Sequence, residues 1–277
     1  MRILILGATG MLGKDLIPAF TKDEVIGYGA RNVDLRDAPA VLQAIQEIQP
    51  DWIILSAAYT DVDGCEADPQ RTFAVNRDGA VHVAQAAAQT GARILFVSTD
   101  YVFNGEKRTP YETDDARNPI NVYGQSKAEA ECRLLELAPG CCIVRTSWLF
   151  GLGGKCFPDT ILHLAQTQPE LRVVDDQHGC PTFTADLANA IAGLVRNQAS
   201  GIVHATNRGS CSWFEFARAI LKTSSQTTVT PVGTSEFPRP AKRPKYSVLS
   251  SRSLQEQGIE LPTWQNALAS YLRQRSN

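Results

Sequence analysis

Three groups of residues in this 277-residue chain have types and spacings that can do chemistry. Tyr123 and Lys127 stand four apart in Tyr123-Gly124-Gln125-Ser126-Lys127, which puts a phenol and an ammonium on one face of a helix. A fixed cation lowers the pKa of a neighbouring phenol and makes it a better proton donor near neutral pH. Thr99 follows the apolar run Arg93–Ser98, and its hydroxyl, with the Asp100 carboxylate beside it, can meet a reacting carbonyl oxygen or merely cap a turn. The third group is Gly7-Ala8-Thr9-Gly10-Met11-Leu12-Gly13, directly after the run Arg2–Leu6. Gly7, Gly10 and Gly13 suit a tight strand-to-helix turn, close approach of backbone to a pyrophosphate, and close helix–sheet contact. The helix that opens there offers N–H groups and a positive dipole end to phosphates. Combined, these groups describe a site in which a nicotinamide cofactor delivers hydride to a carbonyl. Thr99 would hold the carbonyl oxygen, Tyr123 would protonate it, and Lys127 would hold the ribose and tune Tyr123.

Such a site needs a scaffold, and the chain supplies the rhythm of one. Arg2–Leu6, Glu24–Tyr28, Trp52–Ala57, Arg93–Ser98 and Cys142–Ser147 read as strands, most of them continuously apolar as strands covered on both faces must be. Leu12–Thr21, Ala38–Gln49, Pro69–Thr90 and Ser126–Leu137 have helical composition between them. This alternation predicts an α/β fold, a Rossmann-type doubly wound parallel sheet, with ligands at the carboxyl edge of the strands. Past residue 150 the rhythm loosens around Gly- and Pro-rich segments, with a helix at Thr184–Arg196 and a run Gly201–Ala205 returning to the sheet. The expected organisation is a cofactor-binding domain of residues 1–150 plus about 171–205, and a partly interleaved substrate lid of residues 151–170 and 206–277.

The second strand ends Tyr28-Gly29-Ala30-Arg31 with no acid at its tip. Since an acid there would take the ribose 2'-hydroxyl, and Arg31 can pair with a 2'-phosphate or be a plain surface charge, NADPH is favoured with NADH as the alternative. Asp34 either binds the adenine end through its side chain or caps the next helix. Trp148 sits at a strand end, where an indole either covers the apolar face of a sugar or packs in the core. Arg239, Lys242, Arg243 and Lys245 gather in the Pro-rich stretch 237–244 and just beyond, a local positive field suited to a diphosphate, or else a solvated loop.

Composition excludes several other classes. The net charge is −2 and 43% of the residues are hydrophobic, which fits neither a disordered tail nor a broadly basic nucleic-acid binder. Seven cysteines with no C-x-x-C pair predict a reduced, cytoplasmic chain, and four scattered histidines predict no metal site. No apolar run is long enough to cross a bilayer.

The motifs, in order, are Gly7–Gly13, Ser98-Thr99-Asp100-Tyr101-Val102-Phe103, Asn121–Lys127, Arg145-Thr146-Ser147-Trp148, Asp176–Thr182 and Arg243-Pro244. Across nearly the whole chain they resemble the dTDP-4-dehydrorhamnose reductase family of the extended short-chain dehydrogenase/reductase superfamily. That resemblance implies NADPH-dependent reduction of the 4-keto group of dTDP-4-dehydro-β-L-rhamnose to dTDP-β-L-rhamnose. It implies Tyr123 as proton donor, Lys127 as its partner and Thr99 as the carbonyl contact. Thr99, Asp100, Trp148 and Arg243 become the expected substrate contacts. Gly7, Gly10, Met11, Leu12, Gly13, Arg31, Asp34, Leu35, Ala57, Ala58, Tyr59 and Lys127 become the expected cofactor contacts. Some members form dimers bridged by a divalent metal through glutamates; the aligned positions here are Asp15, Ala185 and Gln265, too few carboxylates for a bridge, so a monomer or an unbridged homodimer is expected.

Two other readings stand beside this one. A 4-epimerase or 4,6-dehydratase of the same superfamily would return its hydride to the sugar and keep NAD bound. A dehydratase also needs an acid/base pair after the threonine, where this chain has Asp100-Tyr101. A non-catalytic regulatory subunit with the same fold would bind the cofactor and turn nothing over, and the joint presence of Thr99, Tyr123 and Lys127 argues against it.

Overall fold

Period-two alternation along apolar strands decides how this chain is layered. In the computed structural model, which describes residues 1–222 and 227–276, a six-stranded parallel sheet forms from β1 (Arg2–Leu6), β2 (Glu24–Tyr28), β3 (Trp52–Leu55), β4 (Arg93–Thr99), β5 (Cys142–Thr146) and β10 (Gly201–His204). Their order is β10-β5-β4-β3-β1-β2. Ile3, Ile5, Ile54, Leu95 and Val144 face one side, and Leu4, Leu6, Ile53, Phe96 and Ile143 face the other. On the first side lie α1 (Met11–Ala19) and α8 (Thr184–Arg196); on the second lie α2 (Ala38–Ile48), α5 (Gly79–Thr90) and α6 (Val122–Leu137). The chain reverses direction across the sheet at β1, so the crevice between β1 and β3 opens at their carboxyl ends.

Between β3 and α5 run α3 (Val62–Ala67), α4 (Pro69–Phe73) and a π-helical turn, Ala74–Asp78, so the single helix expected over Pro69–Thr90 is interrupted. The interruption presents Asn76, which is buried and bonds both the backbone of Tyr59 and the hydroxyl of Ser126.

A third core belongs to the smaller domain. It contains Phe150, Ile161, Phe183, Phe216, Trp264 and Tyr271. Its elements are β6 (Leu149–Phe150), α7 (Phe157–Leu164), β7 (Glu170–Val174), β8 (His178–Gly179), β9 (Thr182–Phe183), β11 (Cys211–Ser212), α9 (Trp213–Leu221), β12 (Thr228–Val232) and α11 (Trp264–Ser276). The short helix α10 (Arg252–Gln255), grouped by sequence with the lid, packs instead on β10 of the main sheet: Leu254 joins the first core and Ser253 Oγ accepts from His204 N–H at 2.9 Å. Helix α8 and strand β10 return to the main sheet, with Val203 paired to Val144. Residues 171–174, grouped by sequence with that return, instead pair in parallel with β12 in a two-stranded sheet of the smaller domain. The alternation of Leu171 and Val173 inward against exposed Glu170 and Arg172 marks a strand covered on one face, unlike the doubly buried strands of the main sheet. Positions 223–226 and 277 of the expected lid lie outside the described residues. The seven cysteines are free, and no described helix is long and apolar enough to cross a membrane.

Candidate active site

The glycine turn leaves no room for side chains. Gly7 adopts φ +102°, and a Cβ on it would lie 2.6 Å from the Ala57 nitrogen. At Gly13 a Cβ would lie 2.1 Å from the Gly7 carbonyl oxygen. Gly10 caps α1 in extended conformation without a side-chain hydrogen bond, so the first N–H groups of the helix stay available to a phosphate. A cavity of about 340 Å³ adjoins the turn, and Gly7, Asp34, Leu35, Ala57, Ala58 and Tyr59 line it. Leu12 is buried in the core beneath and Met11 packs toward the smaller domain, which leaves their backbones rather than their side chains for a cofactor.

Arg31 is not in this wall. The Gly29–Val33 turn, closed by the bonds Asn32 N–H to Gly29 O (2.9 Å) and Gly29 N–H to Asn32 Oδ1 (2.9 Å), leaves Arg31 exposed to solvent. Arg36 and Arg71 line the cavity instead. Arg36 donates from Nη2 to Asp34 Oδ2 at 2.5 Å and holds that carboxyl down at about 2. The guanidinium of Arg71 lies 4.6 Å over the Tyr59 ring. Asp34 therefore does not cap α2; Asp37 does, accepting from Ala40 N–H at 3.1 Å. The spacing Asp34-x-Arg36 was the available sequence signal for the cation. A tight glycine cradle, open helix N–H groups and two arginines beside the adenine end fit a phosphorylated dinucleotide.

Thr99 ends β4 at the carboxyl edge. Its Oγ1 accepts from Tyr101 N–H (3.2 Å) and donates to Asp100 Oδ1 (3.1 Å), so it caps the 3-10 turn Asp100–Val102 and also faces the phenol of Tyr123. Helix α6 starts four residues earlier than its composition suggests. Asn121 accepts from Gly124 N–H at 2.7 Å and Glu66 accepts from Val122 N–H at 2.8 Å. Gly124 lets that helix close on the turn after Thr99, since a Cβ there would be 2.1 Å from the Tyr101 carbonyl oxygen. Thr99, Tyr123 and Lys127 are thereby brought to one edge.

The electrostatics differ from the expectation. Burial, reinforced by the nearby Asp100 charge, raises the Tyr123 phenol, and Thr99 offsets part of the rise. Lys127, 2% exposed, donates from Nζ to the Val97 carbonyl at 2.8 Å and sits 3.8 Å over the Phe96 ring. Burial lowers its ammonium to about 7, with Glu131 opposing the fall. Lys127 thus bonds the β4 backbone and does not depress the phenol here. Asp100 is buried, which pushes its carboxyl up to about 7, while hydrogen bonding from Ser247 and Thr99 opposes the rise.

A cleft of about 1140 Å³ opens beside this edge. Tyr101 lines it from the sheet domain; Phe157, Gln177 and Trp213 line it from the smaller domain; Arg239, Lys242, Arg243 and Lys245 line it from the Pro-rich loop. That loop is fastened to the sheet domain. Arg243 Nη1 donates to Asp63 Oδ1 at 2.6 Å, and Asn121 Nδ2 donates to the Lys242 carbonyl at 2.8 Å. Trp148 takes a left-handed backbone, φ +48°, and its indole stacks on Trp213 with centroids 3.5 Å apart and planes 7° from parallel. Gly179 lies under its edge, where a Cβ would be 2.4 Å from Cε2. Sequence reasoning missed Trp213, whose signal was a tryptophan directly after the capping-box residue Ser212.

The family model described as "RmlD substrate binding domain" matches residues 1–277. The chain belongs to this family. Among relatives of this RmlD-type chain, the spore coat polysaccharide biosynthesis protein SpsK of Bacillus subtilis (strain 168) is 40% identical over 100% of this chain and 98% of its own. A solved dTDP-4-dehydrorhamnose reductase from Clostridium acetobutylicum superposes with a TM-score of 0.98 at 39% identity, covering 100% of both chains. Another, from Bacillus anthracis in complex with NADP, gives 0.96 at 38% identity over 99% of each.

Proposed function

We propose that this chain reduces the 4-keto group of dTDP-4-dehydro-β-L-rhamnose with NADPH, forming dTDP-β-L-rhamnose. The observation that carries the reading is that Thr99 at the end of β4 faces the Tyr123 phenol while Lys127, one turn along α6, bonds the same strand, all at the carboxyl edge of the sheet whose first strand opens into the glycine turn. NADPH, when bound, supplies the hydride that goes to C4. The phenol of Tyr123, kept protonated by burial, gives its proton to the carbonyl oxygen, so hydride and proton together make the new hydroxyl. Thr99 Oγ1 donates to the same oxygen. Lys127 holds the ribose end of the cofactor by its ammonium. Asp100, beside Thr99 at the same edge, accepts from a sugar hydroxyl. Trp213, which lines the cleft with Trp148 stacked on it, walls the sugar, and Arg243 with the neighbouring cations takes the diphosphate. Gly7, Gly10 and Gly13 pass the pyrophosphate, and Arg36 serves a 2'-phosphate in the role first read for Arg31. Seven unpaired cysteines support work in the cytoplasm.

Consumption of NADPH with enzymatically prepared dTDP-4-dehydrorhamnose, and identification of the sugar formed, tests the reading. Tyr123→Phe should lose turnover by about 10²–10⁴-fold while NADPH binding survives, because only proton transfer is removed. Near-normal turnover in that variant would remove Tyr123 from the reaction.

A further inference from the structure

Beneath Lys127, one helical turn along α6, lies a carboxylate that the mechanism above does not use. Glu131 is 0% exposed and is gripped by donors from three other segments. Ser98 Oγ donates to its Oε1 at 2.6 Å. Arg145 approaches side-on, with Nε 3.0 Å from Oε1 and Nη2 2.7 Å from Oε2. Arg117 Nη1 adds a bond to Oε2 at 3.2 Å. Ser98 and Arg145 are register partners across β4 and β5, and the next pair in the ladder is Thr99 with Thr146. The carboxylate therefore clasps the two strands one residue before Thr99 and three before Trp148. Tyr123, Lys127 and Glu131, each four apart, form one stripe of α6 toward this edge.

A buried ion pair is weak evidence for stability by itself, because well-packed apolar groups hold elements together as well or better. The composition of this cluster says more. Arg145 is 1% exposed and is braced by the Phe103 ring at 5.0 Å and by the Thr113 carbonyl at 3.2 Å. The adjacent His204, held neutral by burial and by Arg145, adds no further positive charge. Arg117, Arg145 and Lys127 are thus three cations around a single anion. On Lys127, β4 packs the neutral Val97 carbonyl and the Phe96 ring, and the charge that acts on it is that of Glu131, one turn along α6. Arg145 from β5 and Arg117 from the loop before α6 both bind that charge.

We propose that Glu131 is a positioning residue for proton transfer: it fixes α6 against the β4–β5 edge so that Tyr123 and Lys127 meet Thr99, and its charge, one turn along the helix, favours the ammonium form of buried Lys127. The kinetic part rests on the reductase reading; the charge part does not.

The test uses the full chain with Glu131→Gln and Glu131→Asp, each compared with wild type in thermal unfolding, in the ¹³Cε chemical shift of Lys127 against pH without cofactor, and in steady-state kinetics. The Lys127 resonance, assigned through Lys127→Arg, should titrate near 7 in wild type. Its midpoint should fall by about one pH unit or more in Glu131→Gln and stay near wild type in Glu131→Asp, which keeps the charge. Turnover should fall by roughly 10- to 100-fold in Glu131→Gln with the KM for the sugar nucleotide within about threefold, and recover in part in Glu131→Asp. An unmoved midpoint in folded Glu131→Gln overturns the charge role, and wild-type turnover in Glu131→Asp and Glu131→Gln alike overturns the positioning role. If Glu131→Gln does not fold, Glu131→Asp decides: a wild-type midpoint with lowered turnover and unchanged KM supports the proposal, whereas a displaced midpoint or wild-type turnover refutes it. Wild type with no reductase activity would refute the functional reading while the titration still decides the charge role.

Discussion

Adding one methyl group at Gly13 should separate cofactor binding from general stability. Its Cβ would stand 2.1 Å from the Gly7 carbonyl oxygen, 2.6 Å from Ala8 Cα and 2.7 Å from the Ala8 carbonyl carbon. All three are backbone atoms, so no side chain can swing aside, and α1 must retreat from the turn by roughly 1 Å to restore van der Waals contact. Overpacking of this kind costs about 1–3 kcal/mol, and alanine's better helix propensity returns up to about 1 kcal/mol. The net loss, up to about 3 kcal/mol, corresponds to a melting temperature lower by up to roughly 12 °C for a chain of this size. The same retreat carries the first N–H groups of α1 away from the phosphates. Hydrogen bonds to charged groups are worth about 1.5–3 kcal/mol, so partial loss of one or two weakens NADPH by roughly 10- to 100-fold. Fluorescence titration of NADPH and thermal unfolding of Gly13→Ala measure both quantities. Gly140→Ala is the control, since nothing lies within 4 Å of its added Cβ, and it should leave both unchanged. A folded Gly13→Ala that binds NADPH within twofold of wild type would refute the reasoning.

Arg36→Ala should weaken NADPH more than NADH by about tenfold while Arg31→Ala leaves the ratio alone; the reverse ranking in paired titrations would restore Arg31 to the 2'-phosphate. Arg243→Ala should raise the KM for the sugar nucleotide by roughly 10-fold or more and that for NADPH by less than about threefold, and equal effects would take Arg243 out of the substrate site. Asp100 binds its proton more tightly folded than unfolded, so its contribution to stability is present below the ordinary carboxyl range and is lost as pH rises through about 7. Asp100→Asn should therefore gain stability over wild type as pH goes from 5 to 8, and melting curves with a pH-independent difference would contradict the buried-carboxyl assignment.

The sheet was legible because strands buried on both faces leave apolar runs, and the glycine turn because each glycine has a steric reason. Tyr123, Lys127 and Thr99 were legible as a group because a fixed helical spacing and a strand end place them independently of the rest. What stayed hidden depended on contacts between distant segments. The π turn at Ala74–Asp78 has no periodic signature; it follows from Asn76 reaching Tyr59 and Ser126. Arg31 and Arg36 are both basic and close in sequence, and only the turn at Gly29–Val33 decides which faces the cavity. The lowering of Tyr123 by Lys127 was a sound inference from spacing, but burial acts on both groups and the Val97 carbonyl takes the ammonium. Trp148 was read from its strand end, whereas its left-handed backbone and its partner Trp213 come from the packing of two domains.

Net hydride transfer is the central claim, and isotopic tracing measures it directly. With NADPH carrying deuterium at the nicotinamide C4 position that is transferred, dTDP-4-dehydrorhamnose should yield dTDP-rhamnose bearing one deuterium at C4, with one equivalent of NADP⁺ formed. A sugar product without that deuterium, or turnover with no net loss of NADPH, would contradict the account.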